Sequence, residues 1–501
     1  MAVVLVSLIL AAVVVFYFYL TRNYNYWQKC GVPCADGFFP GVGHMWMLFT
    51  QTMTDLCCKI YNDNKQHSMV GIYNYTLPSL MILEPELVKT VLQSNFASFH
   101  ENSVKIDPKI DPLTALNPFF SYGEKWAAGR KRLTYAFSSM RLKILLESVK
   151  PVCVKLENYL DNKLDKSVEV EEELKNLFSK FTAQVVAGAG FGVDGYCFDD
   201  EKKDMSFQKI GKAVLKPSIR KKIVFTIAFF IPSLNKLFKF PLLPKQIDQF
   251  FRTLVTELIE QRRADGIPKN DFLQLMVELE RIENDKFDVE MLASHALSFF
   301  LDGYETSSIT LSFVGFQLAT HPEVQNRLRD EVLTVLNKYD NEITYEALKE
   351  MVYMDQVINE SMRLIPTGGF MSKTCTEEFV LKGSDGLTCR VQPGTNVLIP
   401  IQGLHKDSRY WENPDVFDPD RFSSDRKHNI QKYTFLPFGE GPRMCVGMRM
   451  ALLQMKACLA ALLRKYSLEL SPKTHVPLKM IMYGIILPAV KGGLWVKLRK
   501  I

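Results

Sequence analysis

The first twenty positions show no alternation of polar and apolar residues. Met1 to Leu20 carries no charged side chain and is built mainly from Val, Leu, Ala and Phe. A run of about 20 apolar residues is long enough to cross the hydrocarbon core as a helix. No basic residue precedes it, and it ends in Phe16, Tyr17, Phe18 and Tyr19, not in a small-residue cleavage site. A retained signal-anchor is therefore expected in place of a cleaved signal peptide. The aromatics suit a membrane interface, Arg22 and Lys29 follow on the expected cytoplasmic side, and the lack of basic residues ahead of the run fits a lumenal N-terminus. Pro33, Gly37, Pro40, Gly41 and Gly43 then predict a turn-rich, non-helical hinge. The expected layout is an anchor over 1–20, a hinge over 21–44 and one domain over 45–501.

Within that domain the pattern reads mostly as helix. Alternation over Met69–Tyr73 and Ser79–Leu83 predicts a strand pair, and Pro85–Ser94 predicts a helix with Pro early in its first turn. Arg141–Lys166, Asp248–Arg263 and Asp288–Thr320 have helical apolar spacing. The last spans roughly 50 Å at 1.5 Å per residue, with Asp288 as its N-cap and a stop before Pro322. A helix so long and apolar must run through the middle of the molecule. Strands return in Phe379–Leu398 and near the C-terminus. Ile223–Pro244 is too short and too broken by proline to span a membrane; it reads as a segment dipping into the membrane interface or as a buried helix pair, with surface contact favoured. The fold class expected is mainly α with a smaller β part.

Composition narrows the function little. Apolar residues at 47% and charged residues at 23% fit a folded globule. The 34 Phe would serve an aromatic core or line a roomy apolar cavity. A net charge of +6 is too small to argue for nucleic acid, and no nucleic-acid partner is expected. It suits an anionic membrane surface or an acidic protein partner. Ten Cys, at 30, 34, 57, 58, 153, 197, 375, 389, 445 and 458, form no regular framework. Cys30 and Cys34 are close enough to share a zinc, but no second ligand pair follows at finger spacing. A reducing, cytosol-facing domain with mostly buried thiols is expected, and one cysteine needs a separate account.

That cysteine lies in Phe438-Gly-Glu-Gly-Pro-Arg-Met-Cys-Val-Gly447. Gly439, Gly441 and Pro442 force an irregular loop, and an apolar helical stretch runs from near Gly447 to Arg464. Cys445 thus sits just ahead of a helix N-terminus, where unpaired N–H groups and the helix dipole favour a thiolate and lower its pKa. A bare Gly-Cys pair would read as a buried structural cysteine. Here Phe438, Gly441, Arg443 and Cys445 match together with Gly447 behind them, and F-x-x-G-x-R-x-C-x-G closely resembles the haem-binding loop of the cytochrome P450 family. The resemblance implies that Cys445 is the axial thiolate on the iron of haem b (iron protoporphyrin IX), where it favours O–O cleavage. It also implies that Arg443 pairs with a haem propionate.

The resemblance continues in the family's order. Glu360-Ser-Met-Arg363 resembles the E-x-x-R of the family's K helix, and with Arg421 in Phe417–Phe422 it implies a structural triad that holds the Cys445 loop. Trp126-Ala-Ala-Gly-Arg130 matches W-x-x-x-R, whose two residues contact a propionate in the family. Asp302-Gly-Tyr-Glu-Thr-Ser307 is similar to the oxygen-activation motif, with Gly303 leaving room above the iron and Glu305 and Thr306 delivering protons. Two positions depart from the pattern. Asp302 replaces the usual Ala or Gly and must face away from the haem, pair with a cation or bond near the helix. Lys373 stands where relatives commonly place a propionate-binding Arg, and donates without a bidentate fork.

The nearest resemblance is to microsomal, insect-type xenobiotic-metabolising members, with Lys491-Gly-Gly-Leu-Trp-Val and the anchor as fitting features. It implies a monooxygenase of the endoplasmic reticulum membrane, its catalytic domain on the cytoplasmic side, acting on a lipophilic small molecule. No G-x-G-x-x-G fingerprint follows a strand, so electrons must come from a partner; the resemblance implies NADPH–cytochrome reductase, with cytochrome b5 as a second donor. Lys131, Arg132, Arg449 and Lys456 are candidates for a basic docking face. The stretches His100–Tyr122, Leu215–Phe240, Thr367–Lys373 and Met480–Leu487 are expected to line the substrate pocket. Two other readings stay open: an isomerase or dehydratase of lipid hydroperoxides, against which Glu305–Thr306 counts, and a non-enzymatic haem sensor or ligand carrier.

Overall fold

The computed structural model describes the chain except for residues 216–217, 231–234, 236, 267–268, 284–288 and 483–486. Helix α1 (Ala2–Thr21) buries none of its side chains and is the one described helix long and apolar enough to cross a membrane. The stretch after it is rich in turns, as its glycines and prolines require, but it is no free hinge. It contains a short helix at Tyr26–Lys29 and a 3-10 turn at His44–Phe49. Trp27 is fully buried, its Nε1 donates to Ile72 O at 3.0 Å, and a Cβ on Gly71 would fall 2.2 Å from its ring. Gly71 therefore has no side chain because the Trp27 ring occupies that space, and the segment is fastened to the sheet edge.

The expected hairpin forms as β1 (Met69–Asn74) and β2 (Leu77–Ile82), paired antiparallel. Pro85–Lys89 is helical with Pro85 in the first turn. Chain-distant β3 (Glu101–Asn102), β5 (Met371–Thr374) and β8 (Asn396–Ile399) complete a five-stranded sheet in the order β1-β2-β8-β5-β3. A second sheet, ordered β4-β10-β9, joins Val170–Glu173, Trp495–Lys500 and Tyr466–Leu470, and Phe379–Lys382 pairs with Thr388–Val391 as β6 and β7. The mainly apolar faces of the five-stranded sheet close over their own core, which includes Tyr73, Leu80, Val397 and Leu404.

The larger core is helical. Among the longer helices are α2 (Gly123–Ala136), α3 (Ser139–Leu164), α4 (Leu174–Val186), α5 (Ile219–Phe230), α6 (Lys245–Asp265), α7 (Val289–Thr320), α8 (Val352–Leu364) and α9 (Met448–Leu463), all but α5 contributing to that core. The predicted helices at 141–166 and 248–263 are α3, shifted by two residues toward the N-terminus, and α6, extended by less than a turn at each end. The long helix is α7, which ends at Thr320 as predicted; its proposed cap, Asp288, lies outside the described residues. α7 is buried nearly all round from Leu292 to Phe300 and from Ser307 to Ala319, the pattern of a helix enclosed by others. It lies close along α4, where a Cβ on Gly315 would meet Leu174 at 3.0 Å and Phe178 at 3.3 Å. Burying one such apolar side chain stabilises the fold by about 1.5–3 kcal/mol.

Of the stretch 223–244, residues 231–234 and 236 lie outside the described set. Among the rest, Ile223, Leu237 and Phe238 are exposed, and so is the preceding Ile219. Lys222 ties this surface to Leu48 O at 2.5 Å, beside the exposed Phe49.

Candidate active site

Residues 436–447 close on themselves through the backbone. Gly439 N–H donates to Leu436 O (3.1 Å), Met444 N–H to Gly441 O (3.0 Å) and Cys445 N–H to Phe438 O (2.8 Å). Gly441 has φ +76°, and a Cβ there would fall 1.9 Å from Leu92 O. Both the dihedral and the contact demand glycine. α9 starts at Met448 with Gly447 at its N-cap, so Cys445 stands just ahead of a helix N-terminus as the sequence predicts. Its sulfur opens on an internal cavity. The expected lowering of its pKa is corrected for the protein alone. Burial pushes the thiol up; Gly447 N–H, Arg130 and Met448 N–H pull it down, and Asp302 opposes them. The helix start acts in the predicted sense, but desolvation outweighs it.

The predicted triad is complete and buried. Arg363 grips Glu360 with Nε (2.7 Å) and Nη2 (2.8 Å), both side chains at 0% exposure, and Arg421 Nε adds a third bond at 3.2 Å. Arg363 also donates to His405 O (2.9 Å), Pro414 O (2.8 Å) and Val416 O (3.2 Å). The triad reaches the Cys445 loop through a relay. His405 Nε2 accepts from Leu436 N–H at 2.8 Å, two residues before Phe438. Burial and the nearby Arg363 guanidinium push the His405 pKa down to about 3, which keeps that nitrogen an acceptor.

Two cations, Arg130 and Arg443, line one side with an aromatic platform, and a third, Lys373, is buried near Arg443. Arg130, one turn after Trp126 on α2, donates to Met444 O at 2.5 Å. Arg443 lies over the Trp126 ring at 4.3 Å and donates to Pro118 O (3.2 Å) and Ser121 O (3.0 Å), while its buried Nε has no partner. Lys373 is 2% exposed and donates to Asn102 Oδ1 at 2.7 Å, a bond set by the β3–β5 register that places these two residues opposite each other. Burial, then repulsion from Arg443, pushes Lys373 down to about 7, and burial pushes Arg443 down to about 10. Such a group of desolvated cations calls for an anion.

α7 forms the roof. Thr306 Oγ1 donates to Asp302 O at 2.5 Å. Glu305 is ion-paired with Lys175 at 2.8 Å, and Lys175 also donates to Ser308 Oγ at 2.9 Å. Gly303 lines the cavity, and a Cβ there would press on Val186 of α4 at 3.2 Å, so the residue serves helix packing as well as space. Asp302 neither faces away nor pairs with a cation. It opens on the cavity and accepts from Asn117 Nδ2 at 3.3 Å, and burial raises its carboxyl to about 6.

The cavity enclosed by these parts holds about 1090 Å³. All four stretches expected to line it contribute, through residues such as Phe119, Leu215, Phe370 and Leu487; residues 216–217, 231–234, 236 and 483–486 within them lie outside the described set. The cytochrome P450 family matches residues 37–496 of the chain. The chain belongs to the cytochrome P450 family. Cytochrome P450 9e2 of Blattella germanica is 32% identical over 97% of this chain and 96% of its own length. Cytochrome P450 6a2 of Drosophila melanogaster is 30% identical over 99% and 100%. The probable cytochrome P450 28a5 of the same fly is 31% identical over 99% and 100%. These insect relatives agree with the insect-type resemblance.

This P450 is accordingly a haem-thiolate monooxygenase. Its residues fit a haem: one sulfur faces a chamber of sufficient size, and the unpartnered Arg443 Nε and the desolvated Lys373, close enough to repel each other, would suit a dianionic group. Cys445 would hold the iron; Arg130, Arg443, Lys373 and Trp126 would hold the propionates. The proposed basic docking face is corrected at two positions. Lys456 is buried, donating to Asp355 (2.8 Å) and Met351 O (3.0 Å), and Arg132 is buried against Met291 Sδ (2.8 Å). Lys131 and Arg449 are exposed.

Asn102, Asn117, Lys175 and His405 were not legible as site residues. Each sits far along the chain from its partner and in no local motif, so only pairing through space reveals it.

Proposed function

We propose that this P450 oxygenates a lipophilic small molecule (xenobiotic, hormone or lipid) at the endoplasmic reticulum membrane, with electrons from NADPH through a cytochrome reductase and with cytochrome b5 as a second donor. One observation carries the reading: the Cys445 sulfur and the Thr306 hydroxyl open on the same enclosed, largely apolar cavity. When bound, haem with a thiolate ligand supplies dioxygen binding and O–O cleavage.

The chain's own groups supply the rest. The apolar lining binds lipophilic compounds and excludes water. Thr306 and Glu305 move protons to the cavity. Thr306 lines the cavity with its hydroxyl proton held by Asp302 O, and Glu305 is paired with Lys175, which lines the same cavity. Glu305, Thr306 and the haem-holding set Cys445, Arg443, Phe438, Gly441, Gly447, Trp126, Arg130, Lys373 and Gly303 are the proposed site residues. Helix α1 anchors the domain of residues 45–501, and the residues between it and that domain form a packed connection. Lys131 and Arg449 offer the reductase an exposed basic surface.

The test is reconstitution of the full chain with reductase, NADPH and a panel of lipophilic compounds, following product and NADPH consumption. Turnover that requires both reductase and NADPH is expected. Conversion of a lipid hydroperoxide without reductase would replace the reading with an isomerase or dehydratase. Tight ligand binding without turnover of any kind would leave a sensor or carrier.

A further inference from the structure

Two of the three carboxylates that line the cavity are already used. Glu173 accepts from Lys175 N (3.1 Å), Asn176 N (2.6 Å) and Leu494 N (3.2 Å), and Glu305 pairs with Lys175. Asp302 is different. It is enclosed by the protein yet exposed to the cavity, and its one bond runs from Asn117 Nδ2 to Oδ2. Asn117 is itself buried and fixed, its Oδ1 accepting from Phe119 N at 2.7 Å. The cations that line the cavity are aimed elsewhere: Arg130 at Met444 O, Arg443 at Pro118 O and Ser121 O, Lys175 at Glu305, Lys212 at Asn176 and Lys221 at Ala213 O. Among the described residues Asp302 has no ion pair.

An enclosed carboxylate without a cation is costly, and the cost falls when a cation enters beside it. We propose that Asp302, held by Asn117, is a specificity-determining residue that recognises a cationic nitrogen on an otherwise lipophilic substrate. The proposal rests on the cavity being the substrate chamber of a haem-thiolate enzyme, and it names a substrate class for it. Phe119, bonded through its backbone N–H to Asn117, also lines the cavity. An aromatic face near a carboxylate is the pairing that favours a quaternary ammonium over a neutral group of the same shape. The rest of the lining, including Leu215, Phe370 and Leu487, accepts an apolar body.

The test uses the haem-loaded full chain at pH 8 and a pair of probes: 4-phenylbutyl-trimethylammonium, and the neutral isostere with carbon in place of nitrogen. The cation carries a permanent charge and no lone pair, so it cannot ligate iron. Kd is measured by equilibrium dialysis. The wild type should bind the cation about tenfold more tightly than the isostere, a difference of about 1.4 kcal/mol. Asp302→Asn should abolish the difference while leaving the isostere's Kd within about twofold, and Asp302→Glu should keep part of the preference. Equal affinities in the wild type, or a preference that survives Asp302→Asn, would overturn the proposal. So would a ligand-free ferric absorption spectrum that changes on Asp302→Asn, since the carboxylate would then sit on the iron. The carbon monoxide spectrum of the reduced wild type reports separately on the haem-thiolate reading: with its red-shifted band present and the cation preference absent, the Asp302 assignment alone fails.

Discussion

The floor and the roof of the cavity are built on opposite principles. The floor, residues 436–447, is fixed by three backbone hydrogen bonds within the loop and a glycine that no other residue can replace. Behind it the charges of Glu360, Arg363 and Arg421 are buried and held by several hydrogen bonds. The roof is a regular helix whose polar side chains face the cavity and take single partners from remote elements, Asn117 for Asp302 and Lys175 for Glu305. A satisfied, buried network resists change and places one atom in one position. A helix face with spare bonding capacity tolerates substitution and is where substrate choice can vary.

Removing the sulfur tests the floor most severely. Cys445→Ala should abolish both the red-shifted carbon monoxide band and NADPH-dependent turnover; retention of full activity would refute the ligand assignment. Next in size is Arg363→Ala, which removes the bidentate partner of the fully buried Glu360 carboxylate and leaves it the single longer bond from Arg421 as its ion pair. Breaking a buried pair in this way costs about 3–5 kcal/mol, to be read from denaturant unfolding and haem content. A roof that is also rigidly networked would show losses of that size for Asn117→Ala, and the comparison would then collapse.

Acid should weaken both regions through their buried histidines. The His405 pKa falls from 6.5 to about 3 and that of His295, on α7 facing Gly129 and Arg132, from 6.5 to about 4, each mainly through burial. Between those values and 6.5 the unfolded chain binds protons that the folded one refuses. Stability is therefore intact above about pH 6.5 and falls as pH drops, by about 1.4 kcal/mol per group per unit. Unfolding followed from pH 7 to pH 4.5 should show this slope, and His405→Gln should reduce it. A flat profile would mean that His405 does not stay neutral behind the loop.

A smaller effect is expected at the roof. Lys175→Met should lower turnover about tenfold, about 1.4 kcal/mol of transition-state stabilisation, with the haem spectrum unchanged. A lost spectrum would assign Lys175 to structure and not to proton movement. Smallest of all, Lys131→Glu with Arg449→Glu should raise the reductase concentration needed for half-maximal turnover a few-fold and weaken its salt dependence. Lys456→Gln should lower stability without touching that salt dependence, because the side chain is buried on Asp355.

The chain itself determined a great deal. Uninterrupted apolarity marked α1, helical spacing marked α3, α6 and the end of α7, and glycine with a fixed frame of Arg and Cys marked the loop at 438–447. These signals are local: a helix face, a turn or a cap is decided by residues within a few positions of one another. Tertiary structure decided the rest. It set which way Asp302 points, since that depends on Asn117 arriving from a loop 185 residues away. It buried Lys456 and Arg132, charges that read as surface in the sequence, and packed Trp27 against β1 within the stretch 21–44 expected as a turn-rich, non-helical hinge. It also set the balance at Cys445, where a helix start favours the thiolate but enclosure by the whole fold disfavours it more. Burial and long-range pairing are sums over neighbours that the chain order does not show, so charges and carboxylates in the interior acquire their meaning only when the fold closes around them.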